Sequence, residues 1–180
     1  MNYKYLILFP IPEPFNTELC VLMDEISTYT ALPSPYKKLP PHVTFHRPLE
    51  GIDENLIKNL AQSMVLQIRQ TRMTVSHLFP FGKQFIVLPV HATRRLATLW
   101  VGINTLLSSL PEYEHGEFDH DNTLHITIAE KTTVIFDSIW KKIEQITINS
   151  MTIPVEKIEI YRKPVLDGVW ERILELTIPE

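Results

Sequence analysis

The chain has 180 residues, 44% hydrophobic and 21% charged, with a formal net charge of −4. Those values suit a globular protein with one well-buried core, and they exclude a disordered chain and a non-specific binder of long duplex nucleic acid, which must neutralise many phosphates. One cysteine, Cys20, rules out an internal disulfide or a thiolate metal cluster, so a reducing cytoplasmic setting is expected, with Cys20 as a small core residue.

The first apolar run, Tyr5 to Ile11, is interrupted by Pro10 and Pro12. It is too short for a signal peptide or a membrane span and reads as a buried strand. Asn16 to Thr28 follows as a helix, with Leu19, Leu22, Met23 and Ile26 at helical spacing. A loop carrying Pro33, Pro35, Tyr36, Lys37 and Lys38 leads into Pro-Pro-His-Val-Thr-Phe-His-Arg-Pro, residues 40 to 48. β-Branched and aromatic residues make this stretch a strand, and period-two alternation puts His42 and Thr44 on one face, Val43 and Phe45 on the other. Gly51 and Asp53 open a second helix, Asp53 as its N-cap and Leu56, Ile57, Leu60, Met64 and Ile68 as its buried stripe. Thr71 to Phe79 is a third strand, ended by a turn at Pro80-Phe81-Gly82-Lys83.

The pattern then begins again. Val87-Leu88-Pro89-Val90 resembles Leu8-Phe9-Pro10-Ile11 at an offset of 79 (10 to 89). Thr93 caps a helix running to Leu110, with Leu96, Trp100, Ile103 and Leu107 inward. After an acidic loop, Pro111 to Thr123, comes Leu-His-Ile-Thr-Ile-Ala at 124 to 129, where His125 and Thr127 share one face and Leu124, Ile126 and Ile128 the other. The two motif histidines stand 83 residues apart (42 to 125), close to the first offset. A helix from Thr133 to Gln145, buried through Phe136, Ile139, Trp140 and Ile143, precedes strands at Met151 to Tyr161 and Gly168 to Ile178. Each half therefore reads β-α-β-α-β, with one more strand at the C-terminus: an α+β tandem duplication in a single domain. The expected division is lobe one at about 1–80 and lobe two at about 84–180, with exchange of terminal strands between them left open.

A His-x-Thr triplet alone is weak, because 7 His and 16 Thr predict roughly 0.6 of them by chance, yet the chain holds three. His91-Ala-Thr93 lacks the apolar alternation and opens a helix, so Thr93 has a capping task. The other two share strand context and position in the repeat. His42 and His46 also have the spacing of helical zinc ligands, but the flanking prolines deny the helix, and in a strand they lie about 13 Å apart. His46 is expected on the side of His42, at the edge of the site. The acidic loop carries His115, His120, Glu112, Glu114, Glu117, Asp119 and Asp121; a solvated loop is the simpler reading, with a metal site or a lid, and base stacking by Tyr113 and Phe118, as the sharper ones.

At His-Val-Thr-Phe and His-Ile-Thr-Ile the sequence resembles the 2H phosphoesterase superfamily, which includes the 2′-5′ RNA ligase-like proteins and cyclic nucleotide phosphodiesterases, over nearly its whole length. The resemblance implies two similar lobes with pseudo-two-fold symmetry around a central cleft, His42 and His125 as the catalytic histidines, and Thr44 and Thr127 as phosphate-binding hydroxyls. It implies a phosphodiesterase acting on 2′,3′-cyclic phosphates or 2′-5′ linked nucleotides. Two imidazoles with ordinary values near 6.5 suffice for acid-base work at neutral pH, so neither metal nor cofactor is expected. The expected partner is a small nucleotide or RNA end, with no membrane, for a monomer. End joining by the same site, or nucleotide binding without catalysis, are the alternatives.

Overall fold

The structure is a computed structural model. It describes residues 3–110, 124–166 and 168–179, with the backbone alone at 47 and 48. Strand β1 (Tyr3–Pro10) leads to helix α1 (Phe15–Thr30), a 3-10 turn (Pro35–Lys37), β2 (His42–Glu50) and α2 (Glu54–Gln67). Then come β3 (Arg72–Val75), β4 (Phe79–Phe81), β5 (Phe85–Pro89), β6 (His91–Ala92) and α3 (Arg94–Ser108). The chain closes with β7 (His125–Glu130), α4 (Phe136–Ile143), β8 (Met151–Pro154), β9 (Lys157–Pro164) and β10 (Glu171–Thr177).

Local chemistry explains the helices. The Asp53 carboxylate accepts from the backbone N–H groups of Asn55 and Leu56, satisfying two otherwise unpaired donors at the start of α2. Thr93 does the same for Leu96 at the start of α3. The buried stripe of α2 is Ile57, Leu60, Ala61 and Met64, whereas Leu56, expected inside, is 37% exposed because it lies at the edge of that stripe. Cys20 is only half-buried.

Seven antiparallel strands form the main sheet in the order β10-β9-β1-β2-β7-β5-β4, and β6-β3-β8 form a smaller one. Two expected strands are each divided. Thr71 to Phe79 becomes β3 in the small sheet and β4 in the large one; Pro80 and Phe81 belong to β4 rather than to the turn. Proline is tolerated there because β4 is an edge strand, and Gly82, at φ 57°, makes the reversal. Met151 to Tyr161 likewise divides into β8 and β9, with buried Val155 between them donating its N–H to Thr71 O at 3.0 Å.

The duplication is written into the pairing. Pro10, Phe9 and Leu8 of β1 lie opposite His42, Val43 and Thr44. Pro89, Leu88 and Val87 of β5 lie opposite His125, Ile126 and Thr127 in the same way. Ile11 N–H bonds to Pro41 O at 3.0 Å, and Val90 N–H bonds to Leu124 O at 2.8 Å. Immediately after each threonine the register slips by one residue: Ile7 pairs with His46, and Ile86 with Ala129. Phe45 and Ile128 are thus the extra residues of two equivalent β-bulges. The two motif strands, β2 and β7, pair with each other at Val43–Ile126, the centre of the pseudo-two-fold.

One face of the main sheet carries the core. Tyr5, Ile7, Phe9, Val43, Phe45, Ile126 and Ile128 belong to its large apolar cluster, with α1 against β7 and α4, and α2 against β1, β9 and β10. The opposite face of β1 carries a second, small cluster of Leu6, Leu8 and Tyr161, with Leu39 and Trp170 packed on it.

Candidate active site

His42, Thr44, His125 and Thr127 are all half-buried, while the residues between and after them, Val43, Phe45, Ile126 and Ile128, are at most 1% exposed. Strand alternation therefore turns all four polar side chains away from the core. Because β2 and β7 are antiparallel neighbours centred on Val43–Ile126, the register sets His42 beside Thr127 and Thr44 beside His125. Each imidazole has the hydroxyl of the other motif for a cross-strand neighbour.

The two histidines differ in their settings. His42 Nδ1 lies 2.7 Å from Pro40 O, so a neutral ring donates there and leaves Nε2 as the lone-pair nitrogen. Burial pushes the His42 pKa below the ordinary imidazole value; the Pro40 hydrogen bond opposes this and the nearby His125 adds to it. The ring of His125 instead stacks on Phe81, with centroids 5.2 Å apart and planes inclined by 29°.

His46 is placed differently from expectation. The β2 bulge brings it opposite Ile7, a core residue, and it is 5% exposed, so it faces the core rather than the edge of the site. Strict alternation missed this because a bulge reverses the phase of every later side chain. His91 is exposed on the short strand β6, and Thr93 serves as the cap of α3, as its helix-start position suggested. The acidic loop, with His115, His120, its five carboxylates, Tyr113 and Phe118, lies outside the described residues. Among the described residues no group of three His, Cys, Asp or Glu side chains is placed to hold a metal ion.

Several neighbours of the motifs escaped the sequence reading. Trp100 Nε1 donates to Phe45 O at 2.8 Å, so α3 holds the β2 bulge from below. Lys38, from the loop before β2, pairs with Glu130 at the end of β7. Phe81 and its hairpin partner Phe85 lie in line with Glu130, and Phe79 in line with Val87 and Thr127. The Phe-Pro-Phe alternation of β4 was the available signal, obscured by reading Pro80 as a turn residue.

A duplicated antiparallel α+β fold with a His/Thr strand from each half at its centre is that of the LigT-like 2H phosphoesterases. Escherichia coli LigT in complex with phosphate is 14% identical, with a TM-score of 0.54 over 99% of each chain. A Thermus thermophilus protein is 16% identical, with a TM-score of 0.61 over 99% of this chain and 98% of that one. LigT complexed with 3′-AMP gives 14% identity and 0.54 over all of both chains. Such identities speak for the fold alone. The sequence model of the 2′-5′ RNA ligase superfamily matches residues 15–163, and the chain belongs to that superfamily. No curated protein matches the chain.

Proposed function

We propose that the protein is a metal-independent phosphodiesterase that acts on 2′,3′-cyclic phosphates or 2′-5′ linked nucleotides. His42 and His125 exchange protons with the attacking and leaving oxygens, and the Thr44 and Thr127 hydroxyls donate to the non-bridging oxygens. The observation that carries this reading is the identical pairing of the two motif strands, which presents two imidazoles and two hydroxyls on one face around a pseudo-two-fold. In-line displacement at phosphorus needs such an arrangement: a base on one side, an acid on the other, and donors for the charge between. As water attacks, its proton passes to one imidazole, the O–P bond forms, the P–O bond to ribose breaks, and the other imidazole protonates the departing oxygen.

The LigT complexes with phosphate and 3′-AMP support a phosphate-bearing nucleotide as the ligand class. In this reading the lobes at about 1–80 and 84–180 act as one domain, as a cytoplasmic monomer. Incubation with a panel of nucleoside 2′,3′-cyclic phosphates and 2′-5′ oligonucleotides in EDTA tests the proposal. Turnover unaffected by the chelator is expected, and a rate that requires an added divalent ion would overturn it.

A further inference from the structure

The two walls beside the central motifs are related by the pseudo-two-fold but built from opposite chemistry. On the β1 side, the strand neighbour of Thr44 is Leu8 and the next one out is Glu159. On the β5 side, the neighbour of Thr127 is Val87 and the next one out is Phe79. Leu8 is fully buried, together with Leu6 and Tyr161 under Leu39 and Trp170, and Glu159 is 4% exposed and ion-paired with Arg172 at 2.6 Å. That wall is filled. Phe79, in contrast, is 47% exposed on the edge strand β4.

We propose that the β4–β5 hairpin is the nucleobase platform of this site: the nucleoside attached to the reacting phosphate lies on the His125 side, with its base stacked on Phe79. The inference rests on the phosphodiesterase reading for its chemistry, but its geometry stands on the pairing of β4, β5 and β7. Phe79 lies two strands from Thr127, about 10 Å at ordinary strand spacing, so a phosphate held between the motifs can reach it through its own ribose and base. A phenylalanine face accepts any base by stacking, without reading its edge. Phe81 extends the same aromatic surface onto His125 itself.

This placement separates the proton-transfer roles. A nucleoside on the His125 side sets its ribose oxygen, the leaving group, next to His125, which protonates it as the P–O bond breaks. In the same displacement, water attacks from the His42 side and gives its proton to Nε2, the nitrogen left open by the Pro40 hydrogen bond.

The test is Phe79→Ala, with Phe79→Tyr as the conservative control. Wild type and variants are compared on adenosine 2′,3′-cyclic phosphate and on 1-O-methyl-ribose 2,3-cyclic phosphate, which has no base. We expect KM for the adenosine substrate to rise roughly tenfold in Phe79→Ala, with kcat little changed and the base-free substrate indifferent, and Phe79→Tyr to restore KM. Calorimetric titration with 3′-AMP and ribose 3-phosphate gives a readout independent of turnover, and the same roughly tenfold weakening is expected for 3′-AMP alone. If wild type binds 3′-AMP no better than ribose 3-phosphate, or if the alanine variant leaves both ligands unchanged or weakens both alike, the platform is refuted. Absence of turnover with intact base-dependent binding would refute the phosphodiesterase reading and leave the platform standing.

Discussion

Glu159 and Phe79 occupy matching places on either side of the pseudo-two-fold, one strand beyond Leu8 and Val87. One is a buried carboxylate ion-paired with the half-exposed Arg172; the other is an aromatic ring open to solvent. Duplication has kept the backbone of the two motif strands alike down to the position of the bulge, while side chains outside the motifs have diverged. In the proposed reading, a site symmetric in its reactive groups is asymmetric in what it holds, and that asymmetry gives direction to a reaction that two equal histidines leave undirected.

The largest break in the comparison comes from removing one reactive group at a time. His42→Ala and His125→Ala should each lower turnover by at least ~10²-fold, with circular dichroism unchanged, and the double variant should lose far less than the product of the two. Near-normal activity in either folded variant would remove that histidine from the mechanism. Thr44→Val and Thr127→Val keep the branched shape and delete the hydroxyl; a loss of about 10²-fold in kcat is expected from each, comparable to removal of one oxyanion donor. A change confined to KM would show that the hydroxyls bind the ground state only.

The pH profile should also reflect the lowered pKa of His42 within the coupled pair. With His42 as the base, its neutral form is the active one, and its pKa is lowered by burial, so activity should persist below the ordinary imidazole value of 6.5 before the acidic limb of kcat/KM falls. The limbs belong to the coupled pair. An acidic limb above that value would contradict the assignment.

The smallest expected effect is structural. Trp100→Phe removes the donor to Phe45 O at the β2 bulge and should cost about 1 kcal/mol in urea unfolding with little change in kcat, because β7 has no part in that contact. His91→Ala, at an exposed position on β6, should change neither stability nor activity; an inactive His91 variant would give the His91-Ala-Thr93 triplet a part in the reaction.

The sequence by itself determined the repeat, the helix caps at Asp53 and Thr93, and the face on which His42, Thr44, His125 and Thr127 lie. All of these depend on backbone periodicity and side-chain chemistry within a few residues. Tertiary structure alone decided the rest. Which strand pairs with which placed β3 and β8 together in a small sheet and brought β9 and β10 beside β1. Pairing also created the bulges that turn His46 into the core, and it put exposed Phe79 and buried Glu159 at equivalent places. Register between distant strands sets these features, and no local pattern encodes it, because a shift of one residue exchanges the inner and outer faces of a strand.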